Sequence, residues 1–337
     1  MNSSKYKCRE YLNLYDLDIE LFKRFNLYVY DVVPVRKVFI LRTDKGDKIL
    51  KKIDYSIDDL RFIYTAMEYL KNNGFDRVIN FIKTTEGYIY TIWNGEIYCI
   101  MDLLEGRECE YSNPVDIAIT SRALGNMHKA SSGFEYNIKS RYNLHKIIDN
   151  FERKLHKIMF FKEMVLLYDN TSKFDEIFLE NVDYYIKQMN ESLRILEHSK
   201  YHELCSEEDK IVLCHHDLAH HNILIKDEEA YFIDFDYSVL DLRVHDLCNF
   251  INKVIKNFAY DMEKTNQIIA NYNNFDNLDN REMEVLYGML YFPEDFYSIC
   301  VNYYDTRKNW SEDIFIRRLI KKVDYKQDRE EFLNNLA

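Results

Sequence analysis

The stretch Cys214–Ile225 reads CHHDLAHHNILI, and after a short polar turn the stretch Tyr231–Asp236 reads YFIDFD. Asp217 precedes Asn222 by five positions (222 − 217), and Asp234 follows Asn222 by twelve (234 − 222). The two apolar runs on either side of the charged turn 226–229 are typical of a β-hairpin. The sequence therefore predicts two carboxylates and an amide that paired strands hold in fixed positions.

This spacing matches the catalytic loop of kinases, in which His-x-Asp-x4-Asn is followed by a metal-binding Asp. Phosphoryl transfer depends on positioned groups and neutralised charge, and asks little covalent work of the protein. We expect Asp217 to take the proton of an acceptor hydroxyl. Asn222 and Asp234 offer the oxygen ligands that Mg²⁺ requires beside ATP phosphates. His215 is expected to pack beneath the loop and brace it.

Two other interpretations account for some of the same residues. Asp217 and Asn222 could simply cap turns, a frequent role of both residue types. A zinc site could form from Cys214, His215, His216, His220 and His221. Structural zinc sites usually take two separated pairs of ligands, and one dense cluster does not provide them. The kinase interpretation is favoured because β-type runs precede the segment in the order that it requires.

The first third of the chain alternates strand patterns with turn cues. The predicted strands are Tyr28–Val33, Lys37–Arg42, Lys48–Ile53, Tyr88–Trp93 and Glu96–Met101. Ser56 and Asp59 begin a helix between the third and fourth strands. From about Val115 the patterns are mostly helical. The prediction is an α+β, two-lobed, protein-kinase-like fold. Residues 1–103 form a small five-stranded antiparallel ATP-binding lobe with one helix, and residues 104–337 form a large, mostly helical lobe.

A kinase-like small lobe needs a third-strand lysine near the ATP phosphates and an acidic helix residue that holds it. Alternation puts Lys51 and Lys52 on opposite faces of Lys48–Ile53, so only one of them can reach the nucleotide. We select Lys51, because its face also carries isoleucines, and keep Lys52 as the alternative. Glu68, at the edge of the helix's apolar stripe, is the predicted partner of Lys51.

The phosphate loop and the adenine contacts are predicted less directly. Pro34-Val35-Arg36-Lys37 stands where a glycine-rich turn is expected, and it contains no glycine. Arg36 or Lys37 is expected to take over part of the phosphate contact. Adenine is expected to bond to backbone groups of the connector that includes Met101 and Leu103.

Composition limits the classes of protein that remain. The 337 residues carry 57 acidic against 45 basic side chains, a formal net charge of −12. This acidity argues against a nucleic-acid partner, because phosphate backbones need clustered cations. No apolar run is long enough to span a membrane, and the charged start argues against a signal peptide. Seven scattered cysteines indicate reduced thiols and synthesis in a cytoplasm.

At this point a family is recognisable. The sequence resembles the CotS family of bacterial spore coat proteins, within the aminoglycoside phosphotransferase and choline-kinase-like superfamily. The resemblance covers nearly the whole chain. Besides Cys214–Leu224 and Ile233–Asp236, it rests on Pro34-Val35-Arg36, Ile49-Leu50-Lys51, Glu105-Gly106-Arg107-Glu108, His128–Phe134, Phe174-Asp175, His245-Asp246-Leu247 and Tyr303-Tyr304 with Trp310. In the superfamily the loop usually reads His-Gly-Asp, and here His216 replaces the glycine.

The resemblance implies ATP- and magnesium-dependent phosphorylation of a small-molecule hydroxyl. It also implies synthesis in the mother cell of an endospore former, deposition on the spore and contact with other coat proteins. Asp236 and Asp246 are expected to support the site, with Asp246 bracing the catalytic loop or simply capping a helix. The helical insert 144–198 is expected to shape the acceptor pocket, and the net charge is compatible with a cationic acceptor. The alternative is a structural coat protein that keeps the fold with little or no catalysis.

Overall fold

The computed structural model describes residues 15–167, 171–256, 258–274 and 277–336. The chain forms two compact units. Of the described residues, the first unit contains those up to Glu108 together with Asn222–Asp236, and the second contains those of Cys109–His221 together with those from Tyr237 onward. Most of the charged start that argues against a signal peptide lies in residues 1–14, outside the described residues.

An antiparallel sheet is the frame of the first unit. Its strands are β1 (Val29–Val35), β2 (Val38–Thr43), β3 (Lys48–Ile53), β4 (Phe81–Ile82), β5 (Thr91–Trp93) and β6 (Glu96–Asp102). They lie in the order β1-β2-β3-β6-β4, and β5 also pairs with β6. The predicted antiparallel sheet is confirmed. The short strand β4 adds a sixth member, which pairs Phe81 with Met101.

Two helices belong to this unit, α1 (Ile19–Lys23) and α2 (Ile57–Asn72). Helix α2 begins as the sequence predicts, since the Ser56 side chain accepts a hydrogen bond from the Asp59 backbone N–H. A side chain at this position satisfies one of the backbone donors that a helix start leaves unpaired. The cap therefore fixes the point at which the chain leaves β3 and enters α2.

Strand β3 lies between β2 and β6, and its side chains alternate between two cores. Leu50 packs with the residues of α1 and with Ile100 of β6. Ile53 packs on the other core, against Leu60 of α2. Because successive side chains of a strand point to opposite faces, this alternation also separates Lys51 from its neighbour Lys52.

The hairpin of the decisive segment belongs to the first unit. Its strands β9 (Ile223–Lys226) and β10 (Glu229–Phe232) are joined by β7 (Arg107–Glu108), which pairs with β9. The Phe232 ring stacks on Phe75, with centroids 6.1 Å apart. These contacts correct the predicted division at residues 103 and 104, because they tie both the connector and the hairpin to the unit that contains the sheet.

Gly106 explains how β7 comes so close to β9. A Cβ atom at this position would lie 3.2 Å from the Ile225 carbonyl oxygen and 3.2 Å from the Leu224 Cβ. Either distance is tighter than ordinary van der Waals contact, so a larger residue would push the strands apart. The glycine of the Glu105-Gly106-Arg107-Glu108 motif therefore has a packing role.

The second unit is mostly helical, as predicted. Its helices are α3 (Pro114–Ala130), α4 (Ile147–Leu166), α5 (Lys173–His198), α6 (Tyr201–Leu204), α7 (Arg243–Ile255), α8 (Met262–Tyr272), α9 (Asn280–Tyr291), α10 (Glu294–Tyr304), α11 (Glu312–Asp324) and α12 (Lys326–Leu336). Helices α4 and α5 form most of the predicted insert and pack on each other. An antiparallel pair, β8 (Ile211–Cys214) and β11 (Val239–Leu242), brings the chain to and from the catalytic loop.

Six cysteines lie in the described residues, and all are buried and free. Within the same residues, no helix is both long and apolar enough to cross a membrane.

Candidate active site

Lys51 and two aspartates of the first unit meet beside the β9–β10 hairpin. The Nζ atom of Lys51 lies 2.6 Å from Oδ1 of Asp234 and 2.6 Å from Oδ2 of Asp236. The hydroxyl group of Tyr55 donates to the other oxygen of Asp236 at 3.0 Å. The third-strand lysine therefore contacts the predicted metal ligand directly, and Tyr55 fixes the second carboxylate.

Burial and charge oppose each other in this cluster. Burial alone would lower the pKa of Lys51, but the charges of Asp236 and Asp234 raise it above its ordinary value. Burial, opposed by the charge of Lys51, raises the pKa of Asp236. The side chain of Asp234 is 41% exposed and leaves room for a ligand. Its φ of 64° lies in the left-handed region, which residues other than glycine rarely occupy and which is common at functional sites.

The predicted ion pair between Lys51 and Glu68 does not form in the structure. Glu68 pairs instead with Lys71, one helical turn further on, at 2.7 Å. Lys51 finds its carboxylates in the segment after β10, so it needs none from α2. Lys52, the alternative lysine, points to the opposite face, where it pairs with Glu96 at 2.9 Å across the sheet.

Arg36 lies at the tip of the β1–β2 hairpin, where Val35 pairs with Val38. Its φ of 53° is the left-handed conformation that glycine would adopt without strain. Its side chain is 68% exposed, and its Nη2 lies 3.8 Å from Oε1 of Glu108. Arg36 therefore adopts the backbone conformation that a glycine would have in this turn, and its charge remains accessible to an anion.

Some backbone groups of the predicted adenine-binding connector already form hydrogen bonds within the protein. The backbone N–H of Leu103 donates to the Asp47 carbonyl group at 3.3 Å, and that of Asp102 donates to the Asn80 carbonyl group at 2.9 Å. Met101 pairs with Ile49 inside the sheet. The Leu103 N–H is therefore already used, which narrows the predicted adenine contacts to other groups of the connector.

Asn222 closes the base of the hairpin in the first unit. Its carbonyl oxygen accepts the N–H of Ile233 at 3.0 Å, and only 3% of the residue is exposed. This bond fixes Asn222 against the residue that precedes Asp234. An amide oxygen and a carboxylate are the ligand types that a hard cation such as Mg²⁺ prefers. The two residues therefore fit a magnesium site in donor type.

In the second unit, Asp246 of α7 holds the backbone of the catalytic loop. Its Oδ2 accepts the His215 N–H at 2.5 Å, and its Oδ1 accepts the His216 N–H at 2.8 Å. His128 lies 3.2 Å from the same carboxylate, and its other ring nitrogen is 2.7 Å from the hydroxyl oxygen of Tyr272. Helix α7 begins after Leu242, so Asp246 braces the loop and does not cap the helix.

The substitution of His216 for glycine is accommodated by local contacts. Its φ is 61°, in the region that glycine favours, and its Nε2 lies 3.1 Å from Oδ2 of Asp241. His245 contacts the same oxygen at 2.6 Å. Burial alone would lower the pKa of His216, but the hydrogen bond and charge of Asp241 raise it above its ordinary value. A glycine at this position would adopt the left-handed conformation without strain, whereas His216 is held in it by the contact with Asp241.

The predicted catalytic base, Asp217, has a cationic partner in the second unit. Its Oδ1 lies 2.5 Å from Nζ of Lys253 on α7. Burial raises the pKa of Asp217, but the hydrogen bond and charge of Lys253 outweigh this and lower it below its ordinary value. The side chain is 32% exposed. Asp217 is therefore ionised at neutral pH and able to accept a hydrogen bond from a hydroxyl group.

The zinc alternative finds no support in the described residues. There, the groups of side chains close enough to share a metal are His128, Cys214 and Asp246, and His216, Asp241 and His245. Of the five residues predicted for the zinc site, Cys214 belongs to the first set and His216 to the second, and the other three belong to neither. In each set an aspartate already bonds to its neighbouring histidines, so the groups hold the loop together.

Sequence reasoning missed Lys253 and Tyr55. Lys253 follows Asp246 by seven positions (253 − 246), which is two helical turns and places both residues on one face of α7. That spacing was a usable signal, because Asp246 was already expected beside the catalytic loop. Tyr55 carries no comparable signal, since it lies in the short link between β3 and α2.

The fold is protein-kinase-like and is similar to that of solved aminoglycoside phosphotransferases. An aminoglycoside phosphotransferase from Alicyclobacillus acidocaldarius matches with a TM-score of 0.83 at 17% identity, over 95% of each chain. The AMP-bound complex of a spectinomycin phosphotransferase matches with a TM-score of 0.70 at 16% identity, over 94% of this chain and 96% of that one. These likenesses confirm the predicted fold class.

The family follows from sequence. The model described as "Spore coat putative kinase YutH" matches residues 19–336, and the chain belongs to this family. Spore coat protein S of Bacillus subtilis (strain 168) is 24% identical over 306 residues, 89% of this chain and 87% of the relative. Endospore coat-associated protein YutH of the same organism is 20% identical over 290 residues, 84% and 83% of the two chains. The predicted resemblance is confirmed.

Proposed function

We propose that this protein is an ATP- and magnesium-dependent phosphotransferase that acts on a hydroxyl group of a small molecule. The contact of Lys51 with Asp234 and Asp236 carries the proposal. A third-strand lysine beside a solvent-accessible carboxylate is the arrangement that binds ATP phosphates and their metal in kinases. Two structural neighbours support a nucleotide and a divalent metal: the spectinomycin phosphotransferase contains AMP, and an amicoumacin kinase contains AMP-PNP and Ca²⁺.

The proposed nucleotide site uses residues of the first unit. Lys51 would contact the phosphates, Arg36 would add a second cation, and the connector at Met101 and Leu103 would bond to adenine through backbone groups other than the Leu103 N–H. Asn222 and Asp234 would hold Mg²⁺, which neutralises phosphate charge when it is bound. Asp236 would keep Lys51 in place.

The proposed transfer step depends on Asp217. Its ionised carboxylate accepts the proton of the acceptor hydroxyl, while a bond forms between the acceptor oxygen and the γ-phosphorus. The bond from that phosphorus to the bridging oxygen breaks, and ADP leaves with the electron pair. Asp246 keeps the loop backbone in position throughout. Lys253 holds the base and keeps it ionised.

We further propose that the protein is made in the mother cell and becomes part of the spore coat, in contact with other coat proteins. The family and the names of both Bacillus subtilis relatives support this location.

The enzymatic proposal is tested by following the γ-phosphate of labelled ATP into a panel of amino alcohols, sugars, hydroxy acids and aminoglycosides. Transfer to at least one acceptor, lost in Asp217→Asn, is the expected result. Asp183→Asn is the matched control, because that carboxylate is 74% exposed and pairs only with Lys162 among the described residues. Absence of transfer and of ATP hydrolysis would favour the structural coat protein.

A further inference from the structure

A small pocket of the second unit lies next to the proposed catalytic base. It measures about 150 Å³ and is lined in part by Asn249 and Lys253, which share one face of α7, and by Lys256, which directly follows that helix. Lys253 joins this pocket to the catalytic loop, because its Nζ lies 2.5 Å from Oδ1 of Asp217. A compact molecule in the pocket would therefore have a group within reach of Asp217.

The acidic residues of the pocket are already neutralised. Glu294 pairs with Lys154 at 2.6 Å, and Asp295 pairs with Lys322 at 2.6 Å. Asp217 has its own partner in Lys253. The carboxylates around the pocket therefore offer no unmatched negative charge to a cationic ligand.

Two cations that line the pocket have no such partner. Arg329 is 3% exposed and donates to neutral oxygens: its Nε to Oε1 of Gln188 at 2.9 Å, and its Nη2 to the carbonyl groups of Leu290 and Tyr291 at 3.1 and 2.8 Å. Among the described residues, no carboxylate lies within 4 Å of Arg329 or of the Lys256 ammonium group. A buried cation without a counter-ion is costly, which favours a bound anion.

The surroundings of Lys256 point the same way. Burial, assisted by the charges of Lys253, Lys322 and Arg318, lowers the pKa of Lys256, and only Asp295 opposes this. The pocket is thus positive in a chain whose formal net charge is −12. An excess of one sign in a concave site attracts small ions of the other sign.

We propose that this pocket binds the anionic group, a carboxylate or a phosphate, of a compact acceptor, and presents that acceptor's hydroxyl group to Asp217. The inference rests on the proposed phosphotransferase activity and names its substrate class. It reverses the expectation of a cationic acceptor that the net charge of the chain permits. Lys256 and Arg329 would bind the anion, while Lys253 would remain with the base.

Three probes with one three-carbon skeleton test the proposal: glycerol 3-phosphate, glycerol and 3-amino-1,2-propanediol. Each is added at the same concentration and constant ionic strength, and the melting temperature is followed. Glycerol 3-phosphate should raise it by about 2 °C or more, and the neutral and cationic probes should not. Equal responses to all three probes, or no response to glycerol 3-phosphate, would overturn the proposal.

Variants assign the response to the pocket. Lys256→Met should abolish the shift with glycerol 3-phosphate, and Lys256→Arg should retain it. Lys187→Met is the matched control, because Lys187 is exposed on α5, away from the lining residues. An undiminished shift in Lys256→Met would contradict the assignment. The melting shift with Mg-ATP is measured in parallel: a protein that responds to Mg-ATP but not to glycerol 3-phosphate disproves the anionic acceptor and leaves the proposed function standing.

Discussion

The Nζ atom of Lys51 lies 2.6 Å from Oδ2 of Asp236, and the same ammonium group contacts Asp234 at an equal distance. One strand residue thus holds two carboxylates that follow the β9–β10 hairpin. In a nucleotide complex, the phosphates and the metal would share these charges, so the cluster links the sheet to the proposed metal site.

The first prediction compares two neighbouring lysines. Lys51→Met should raise the Kd for Mg-ATP about tenfold or more, a loss of about 1.4 kcal/mol, because it removes the phosphate-facing cation. Lys52→Met should change the Kd by less than about twofold, since Lys52 lies on the opposite face with Glu96. Isothermal titration calorimetry measures both values. Equal effects of the two substitutions would contradict the strand register assigned to the site.

The second prediction separates the two aspartates. Asp234→Asn should weaken Mg-ATP binding about tenfold, because a charged metal ligand becomes neutral. Asp217→Asn should leave the Kd within about threefold but lower ATP turnover about a hundredfold, as expected for the loss of a general base. Binding is measured by calorimetry and turnover by phosphate release. If Asp217→Asn weakened nucleotide binding as much as Asp234→Asn, the division of roles would be wrong.

The third prediction concerns pH and His216. A histidine whose pKa is raised in the folded state adds stability below its unfolded pKa of about 6.5, and this contribution is lost as the pH rises through the folded value. His216→Gly removes the contact with Asp241 and also relieves left-handed strain of about 1 kcal/mol at every pH. We therefore expect the free energy of unfolding of His216→Gly, measured relative to that of the wild type, to be lower at pH 6 than at pH 9.

Urea titrations at the two pH values give the difference. If the difference in the free energy of unfolding between His216→Gly and wild type is the same at pH 6 and pH 9, the His216–Asp241 contact provides no ionic stabilisation. The relief of backbone strain is the same at both pH values, so any difference between pH 6 and pH 9 comes from the His216–Asp241 contact.

The fourth prediction tests the brace of the catalytic loop. Asp246→Ala should lower the free energy of unfolding by about 3 kcal/mol, because it leaves two buried backbone N–H groups without an acceptor.

Burial raises the pKa of Asp246, but the hydrogen bond and charge of His128 outweigh this and hold it at about 2. A carboxylate with a lowered pKa stabilises above its unfolded pKa of about 3.9 and loses this contribution as the pH falls through about 2.

Asp183→Ala serves as the control for that variant, since its carboxylate is largely exposed and should change stability by less than about 0.5 kcal/mol. Equal effects of Asp183→Ala and Asp246→Ala in chemical denaturation would rule out the proposed brace.

Much of the fold could be predicted because its signals are local. Strict alternation and turn residues located five strands, and the Ser56 cap located the start of α2. Strand β4 was missed because two residues give no periodicity. The hairpin could be predicted, but not its place in the first unit, since that depends on a distant glycine, Gly106, that admits β7 beside β9.

The site shows the same limit. Alternation separated Lys51 from Lys52, but a face does not specify a partner, and Glu68 pairs with Lys71 and not with Lys51. Asp217 and Lys253 are far apart in sequence, and the spacing from Asp246 to Lys253 identifies the pair only because α7 is expected beside the loop. The positive pocket is equally invisible in a sequence whose overall charge is negative.

The central claim is that the first unit binds Mg-ATP through Lys51, Asn222 and Asp234, and the melting temperature with and without Mg-ATP tests it most directly. At millimolar nucleotide and micromolar affinity, a ligand that binds only the folded state adds about 4 kcal/mol of stability. The account predicts a clear rise in melting temperature with Mg-ATP, a smaller rise with ATP and EDTA, and little rise in Lys51→Met. No rise at saturating Mg-ATP in the wild-type protein would contradict it.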